Sequence, residues 1–563
     1  MEGCGFKYET LPNKEDKILV TCALPYANGP CHIGHLRTYV PADVYVRSLK
    51  KLGYKDILFI CGSDTHGTPI LLEAEKQGIH PRELIEKYHR HFIEVFEKLN
   101  IFFDHFGHTD EELNHQMSRE IVLKIHEKGY IYPKKLKLPY CPKCKRFLPD
   151  RYIVGLCPYC KTEARGDECD QGCGRYLNPW ELIDPKCSIC GSTPEFKETT
   201  HYFFKLSAFH GFLEEYLKKM KGTSIAKNYA IKWLKAGLKD WCITRDLPWG
   251  VKFPIDERLV LYVWVDAPIG YITFTKDYCD RKGIDWKEYW KNNAKIIHFI
   301  GGDIVYHHCI FWPALLKAAD MNLPYSVVAS GMVKVEDKVF SKTRGYVIWV
   351  EEDYLDKGLD PDCLRYYMIS YTRHVKDLNF SWKIYEALVN NELVGTLGNF
   401  AYRVLLFTYR NYKEVPEAKL REGVTSLIKG SIDKIIEGLD RYEFNVITTQ
   451  FMALANYGNK LFQKEQPWTT VKENPEKCKE TLYNCLQLLK AIAILMEPVM
   501  PIKAEKLWKQ LGYDTPVKDV HFEEALKPIE PGRKLGKPKP LFKKVSSEKI
   551  QELIKEFEKR VQR

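Results

Sequence analysis

Eight of the eighteen cysteines lie between residues 141 and 190 as four short pairs: Cys141 and Cys144, Cys157 and Cys160, Cys169 and Cys173, Cys187 and Cys190. A gap of two or three residues lets one tight turn aim both thiolates at a single ion, and two such turns complete a tetrahedral Cys4 site. Pro142, Pro158, Gly172, Gly174 and Gly191 supply the turn chemistry. Four pairs therefore imply two Zn2+ ions. With cysteine at every ligand position no place remains for water or substrate, so both ions are expected to be structural. The other ten cysteines are scattered through a long chain, which favours metal over a disulfide framework. Spacing alone leaves three ways of dividing the four pairs between two ions.

A second cluster, PCHIGHL at residues 30–36, combines a cysteine with two histidines. Metal is the weaker expectation here. Cys31 and His32 are adjacent, so in extended backbone their side chains point to opposite faces, and no second cluster lies nearby to complete a site. The stretch falls where an apolar run turns into a helical pattern. Helix N-termini present unpaired N–H groups and the positive dipole end, which suits phosphate. His32 and His35, three apart, share one side of that first turn, and Gly29 and Gly34 allow a ligand close to the backbone.

The elements that must position these groups read as a parallel α/β unit. Residues 18–21 (ILVT) form a short apolar run ending in the turn LPYANGP. A helix is predicted from about His35, with Leu36, Val40 and Val44 on one face and a kink at Pro41. Residues 57–60 (ILFI) lead into CGSDTHGTP and a helix predicted over roughly 69–100. Such sheets bind ligands at loops leaving the carboxyl ends of strands. The alternation stops near residue 122, gives way to the cysteine-rich stretch, and resumes with apolar runs at 259–265 (LVLYVWV) and 296–300 (IIHFI), each predicted to enter a Gly- or Pro-containing loop. From about 376 long helical patterns dominate to about 510, reading as a bundle. The segment PGRKLGKPKP precedes a last helix whose apolar stripe is Ile550, Leu553, Ile554, Phe557 and Val561. At 563 residues, two to four domains are expected. A net charge of +11 is moderate for this length and does not by itself select nucleic acid. No run approaches the roughly 18 apolar residues of a membrane span. The polar start MEGCGFKYETLPNKEDK resembles neither a signal nor a transit peptide. A cytoplasmic protein with no membrane partner is expected.

His32-Ile33-Gly34-His35 resembles the HIGH motif of the class I aminoacyl-tRNA synthetases, and residues 338–345 (KVFSKTRG) resemble their KMSKS loop. Both motifs in this order, about 300 residues apart, are far more specific than either alone. ILVTCALPYANG, FICGSDTHGTPI, YVWVDAPIGY, HFIGGDIVYHH and PDCLRYY narrow the resemblance to the methionyl-tRNA synthetase family, over residues 17 to 563. The loop departs from the family pattern: Val339 stands where the first lysine usually sits, Phe340 for methionine and Thr343 for the last serine. Lys338 lies one residue early, while Ser341 and the second lysine, Lys342, are kept.

The resemblance implies a Rossmann-like parallel-sheet catalytic domain with a zinc-binding insertion, followed by an α-helical anticodon-binding bundle. Its boundaries would be 1–122 and 239–330 for the two catalytic halves, 123–238 for the insertion, 331–375 for the KMSKS-like segment, 376–530 for the bundle and 531–563 for a linker and a C-terminal helix packing back on the body. It implies ligation of methionine to tRNA(Met) through methionyl-adenylate, with L-methionine and Mg-ATP as substrates. His32, Gly34, His35, Ser341 and Lys342 would hold ATP phosphates; Gly302 and Asp303 would hold adenosine, and Arg245 the carboxylate or α-phosphate. Leu24, Tyr26, Trp264, Ala267, Pro268, Tyr271, Ile304 and His308 would line the methionine pocket, with Asp64 on the ammonium and Tyr26 and His308 on the sulfur. Asn399, Arg403 and Trp468 would read the anticodon. Family members with one zinc resemble the inner cysteine pairs, which favours nesting: Cys157, Cys160, Cys169 and Cys173 on one ion, and Cys141, Cys144, Cys187 and Cys190 on the other. The chain lacks the appended oligonucleotide-binding domain that dimerises some members, so a monomer is expected.

Three competitors share part of this pattern. Leucine, isoleucine and valine enzymes of the class would need an editing insertion of some 200 residues, for which no stretch has room; a cysteine enzyme would not. A zinc-knuckle RNA chaperone leaves His32, Asp303 and Lys342 without a role, and a nucleotidyl transferase of another class would not depend on the helical bundle.

Overall fold

The computed structural model describes residues 9–169, 171–342 and 344–562. A six-stranded parallel sheet organises the first part of the chain. Its order is Lys221–Gly222, Pro324–Ser330, Lys295–Gly301, β1 (Ile18–Cys22), β2 (Ile57–Ser63) and β3 (His105–His108). β1 is buried throughout, as expected of a strand covered on both faces. Ile18 pairs with Lys295 on one side and Ile57 on the other. The chain crosses from β1 to β2 in one direction, whereas the strand Lys295–Gly301 lies on the other side of β1. The switch point of the sheet is therefore the end of β1.

Helix α1 (Ile33–Lys51) begins two residues before the predicted start and runs through Pro41. The single helix expected over 69–100 is two, α2 (Thr68–Gln77) and α3 (Pro81–Lys98). Gly78 ends α2 in the left-handed conformation (φ 66°), and α3 restarts with Pro81 at its first position, where the missing N–H costs nothing. The run LVLYVWV is also not the expected strand. Only Val260–Leu261 is extended, and Val263–Lys282 is a helix containing Pro268 and Gly270. That helix is buried almost all round in its first three turns, so it has no polar face to reveal its period. It packs on β2 and β3 through Phe274. A Cβ at Gly62 would lie 2.4 Å from the Phe274 ring and one at Gly107 2.5 Å, so both strands need glycine there.

The cysteine-rich stretch hangs on a long antiparallel ribbon, Ile131–Cys141 against Glu195–Phe204, with a three-stranded sheet beyond it. Its small core includes Cys141, Cys157, Cys169 and Cys187 themselves. Beyond residue 382 the structure is helical, including Asn399–Asn411, Asn445–Glu465 and Pro475–Met496. Arg365, fully buried, ties this part to the sheet domain: it donates to Val499 O (2.8 Å), Pro498 O (2.8 Å), Leu99 O (3.2 Å) and the Asp43 carboxylate (2.6 Å). The last helix, Ser547–Val561, buries Ile550, Leu553 and Phe557 from its apolar stripe. No helix among the described residues is long and apolar enough to cross a membrane.

Candidate active site

At the switch point the chain leaves β1 still held by its neighbour, with Ala23 N–H donating to Phe299 O (2.8 Å). It then turns into α1 at His32. The His32 and His35 rings stack with centroids 3.5 Å apart. His32 N–H donates to His35 Nδ1 (3.1 Å), which leaves the proton of a neutral His35 on Nε2. A Cβ at Gly34 would come within 3.0 Å of His32 Nδ1, so glycine lets that ring fold over the helix start. Burial, then the neighbouring His35 and Lys342, holds His32 well below the usual imidazole range. His35 is lowered by burial, then by Lys342 and His91. Both rings are therefore neutral, each with one N–H to donate.

Residues 347–350 run beside this turn. Ile33 N–H donates to Ile348 O (3.0 Å), Val350 N–H to Cys31 O (2.9 Å), and His32 pairs with Trp349. The segment follows a tight hairpin in which Ser341 N–H donates to Tyr346 O (3.0 Å) and Gly345 takes a φ of 74°. The hairpin sets Lys342 Nζ 5.9 Å from the Trp349 ring centre, and a Cβ on Gly29 would lie 3.8 Å from that nitrogen. Two motifs three hundred residues apart thus face one cleft. Phe340 packs on His32 with ring centroids 4.5 Å apart. Lys338 sits before the hairpin in a short strand paired with Val333–Val335, and Thr343 lies outside the described residues.

The loops after β1 and β2 are zipped together: Asp64 N–H donates to Pro25 O and Ala27 N–H to Asp64 O (both 2.9 Å). Beside them is a cavity lined by Tyr26, Arg245, Trp264, Asp303 and Ile304 from the expected set. Leu24, Asp64, Ala267, Pro268, Tyr271 and His308 are not among the described residues that line it. Gly302 and Asp303 follow the strand Lys295–Gly301 at its carboxyl end. Cβ atoms at Gly301 and Gly302 would lie 2.5 Å from the Asp303 carboxylate and 2.7 Å from Ser330 O, which explains both glycines.

Two residues of the expected set already have partners in the structure. His308 Nδ1 meets Ile304 O (3.1 Å) and its Nε2 meets the Tyr271 hydroxyl (2.9 Å), so both ring nitrogens are engaged and neither is left for a ligand sulfur. Arg245 is committed to Asp150 through Nε (3.0 Å to each oxygen) and to Cys242 O and Thr244 O through Nη1, with its guanidinium over Tyr262. A ligand anion would have to share it. Sequence reasoning also missed several contributors. From the insertion, Arg151 and Tyr176 line the cavity, and Tyr176 OH donates to Asp303 O (3.1 Å). His307 stacks on Trp264 with centroids 3.7 Å apart. His66 N–H donates to the Asp64 carboxylate (3.3 Å), while its ring lies between Asp266 (2.7 Å) and Asp110 (3.3 Å). Burial opposes a charge on His66, but the two carboxylates outweigh it and push the imidazole up to about 9. Asp64 itself is pushed well above the usual carboxylate range by burial and then by Asp266.

The eight cysteines gather into two groups, Cys141, Cys144, Cys187 and Cys190, and Cys157, Cys160, Cys169 and Cys173, each with all four sulfurs within 4.8 Å of one another. Sulfur separations of 3.5 Å (Cys141–Cys190), 3.9 Å (Cys144–Cys187), 3.8 Å (Cys157–Cys173) and 3.4 Å (Cys160–Cys169) bracket the roughly 3.8 Å edge of a tetrahedron with 2.3 Å zinc–sulfur bonds. The donor set and the spacing both fit a closed zinc site.

In the helical part, Asn399 and Arg403 are one turn apart on the helix Asn399–Asn411. Trp468, 41% exposed, is the second residue of the short helix Pro467–Glu473. Phe462 joins them, with the Arg403 guanidinium 5.1 Å and the Trp468 ring 6.0 Å from its centre. The group offers an aromatic face, a cation and an amide together.

Residues 18–405 match the family described as tRNA synthetases class I (M), and residues 416–562 match the anticodon binding domain of methionyl tRNA ligase. The chain is 54% identical to the methionine–tRNA ligase of Methanothrix thermoacetophila over 98% of its own length and 82% of that protein. It is 56% identical to that of Archaeoglobus fulgidus over 96% and 82%. Its fold superposes with a TM-score of 0.77 on Mycobacterium tuberculosis methionyl-tRNA synthetase in complex with methionyl-adenylate, at 25% identity, covering 93% of this chain and 99% of the other.

Proposed function

The chain belongs to the methionyl-tRNA synthetase family, and from that premise we propose how its own residues run the reaction. It is a methionine–tRNA ligase. In the first step a methionine carboxylate oxygen attacks the α-phosphorus of Mg-ATP, forming methionyl-adenylate as pyrophosphate leaves. In the second, a hydroxyl of the terminal adenosine of tRNA attacks the methionyl carbonyl and AMP leaves. No protein nucleophile takes part, so catalysis is positioning plus stabilisation of charge on the transferring groups.

The observation that carries this assignment of roles is the meeting of the His32 turn and the Lys342 hairpin over the switch point, beside an aromatic cavity. Neutral His32 and His35 donate N–H groups to the phosphates from the helix start, and Lys342 opposes them as a point charge. Ser341 shapes the hairpin. Gly302 lets the adenosine approach the backbone, and Asp303 takes the ribose. Trp264, Ile304 and Tyr26 offer polarizable faces to the methionine side chain, aromatic contacts being worth about 0.3–1.5 kcal/mol each to sulfur. Leu24, Ala267, Pro268 and Tyr271 support that wall, and His308 acts by fixing Tyr271. Asp64 receives the ammonium, which restores the charge its burial disfavours. Arg245, held on Asp150, supplies a fixed positive field toward the α-phosphate.

Two zinc ions, one per cysteine group, order an insertion whose residues close the cavity; they take no chemical part. Asn399, Arg403 and Trp468, with Phe462, form the surface that reads a splayed anticodon base. The expected insertion at 123–238 is shortened, because Lys221–Gly222 is a strand of the catalytic sheet: the insertion ends with the ribbon strand Glu195–Phe204 and the second catalytic half starts after it and runs to 330. The first catalytic half is set at 1–122, the signature segment at 331–375, the anticodon bundle at 376–530 and the returning tail at 531–563. A monomer working in the cytoplasm, where tRNA is charged, completes the reading. Charging of tRNA(Met) and of a variant with a changed anticodon tests these roles. Methionylation of the first and not the second supports them; equal charging of both removes the anticodon assignment.

A further inference from the structure

Docking of the last helix is accounted for by its apolar stripe, but its final turn carries a charged contact that packing does not require. Arg560 Nη1 donates to Val347 O (3.0 Å) and to the Asp353 carboxylate (2.7 Å), and Nη2 donates to the second Asp353 oxygen. This is a bidentate pair with the arginine 25% and the aspartate 10% exposed, so it is screened far less than a surface pair. The same carboxylate accepts Trp349 N–H (2.7 Å). Trp349 is the residue between the two signature motifs: its backbone pairs with His32, and its ring centre is 6.1 Å from the His32 ring and 5.9 Å from Lys342 Nζ. The helix end also abuts the root of the hairpin, where a Cβ on Gly345 would lie 2.9 Å from Arg560 O. Arg560 is therefore one carboxylate away from the backbone that sets His32 against Lys342.

We propose that Arg560 is a positioning residue for adenylate formation, acting through Asp353 to fix Trp349 and with it the spacing of His32 and Lys342. The inference rests on the reading that these two side chains act on ATP. It makes the helix Ser547–Val561 part of the first chemical step, and it gives the helical half of the molecule a direct bonded contact with the segment that follows the signature hairpin.

The test uses full-length protein and methionine-dependent ATP–pyrophosphate exchange, with melting temperature measured in parallel. Arg560→Ala is expected to lower kcat about 10- to 100-fold, the scale of a displacement near 1 Å in a reacting centre, without lowering the melting temperature of the body. Millimolar guanidinium should restore part of that loss, Arg560→Lys should fall between, and adding Arg560→Ala to Asp353→Ala should cost little more because the arginine acts through that carboxylate. Glu556→Gln, which breaks the Lys357–Glu556 pair (2.7 Å) on the same helix, is the control and should leave exchange unchanged. An Arg560→Ala enzyme with wild-type kcat, a loss that follows unfolding and ignores guanidinium, or an equal loss in Glu556→Gln would each overturn the proposal. Absence of exchange in the unmodified chain would instead remove the underlying reading.

Discussion

His66 gives the sharpest physical prediction. Its side chain is 1% exposed, between Asp266, fully buried, and Asp110. His66 Nδ1 meets Asp266 Oδ2 (2.7 Å) while the buried Oδ1 has no hydrogen-bond partner among the described residues, so the imidazolium is what compensates that carboxylate. The folded state raises this histidine to about 9 from an ordinary 6.5. A group whose folded value is raised contributes stability that is complete below its unfolded value and disappears as pH climbs through the folded one. Integrated over that window, the proton on His66 is worth about 3 kcal/mol at pH 6, about 2 kcal/mol at pH 7.5 and close to nothing by about pH 9.5. The perturbation is His66→Gln, which keeps a polar side chain and removes the titration. Urea unfolding of both proteins across this range should show the gap between them narrowing by about 3 kcal/mol as pH rises. A carbon-labelled histidine resonance absent from the variant should titrate near 9. A gap independent of pH, or a His66 resonance titrating at or below 6.5, would refute the reasoning.

Three further outcomes are expected. Lys342→Ala should lower the rate of adenylate formation about 10²- to 10³-fold, the usual cost of one donor aimed at transition-state charge, measured under single-turnover conditions. Stripping the metal with a chelator should abolish amide protection across 131–204 and exchange activity together, because site energies of about 10–16 kcal/mol hold an insertion with little apolar core; zinc should restore both. Trp468→Ala should raise KM for tRNA about 10- to 100-fold, in line with about 1–3 kcal/mol for a stacked base, measured in steady-state charging.

What was legible in the sequence was local. Cysteine spacing exposes four thiol pairs because both thiols of each share one turn, but their division between two ions is set by how the turns pack together and was favoured only by the family resemblance; HIGH with a distant Ser-Lys-x-Arg-Gly marks the cleft because each motif is contiguous. The parallel sheet was legible from short apolar runs leading into glycine-bearing loops. The break between α2 and α3 was also written there, in the Gly78 and Pro81 of GIHPREL, but the helical period on either side masks it. LVLYVWV was not decidable, since a helix buried on every side and a buried strand show the same composition. The engagement of both His308 nitrogens, the His66 network and the contact of Arg560 with Asp353 depend on partners 4 to 207 positions away, set only by tertiary packing. Nor does a motif reveal that Arg245 is already occupied by Asp150.

The central claim is that the cleft between His32 and Lys342 activates methionine. ATP–pyrophosphate exchange measured with each of the twenty amino acids in turn tests it most directly. Methionine alone should stimulate exchange well above background, with leucine, isoleucine and valine far below it. Exchange that ignores methionine, or that another amino acid drives better, would contradict the account.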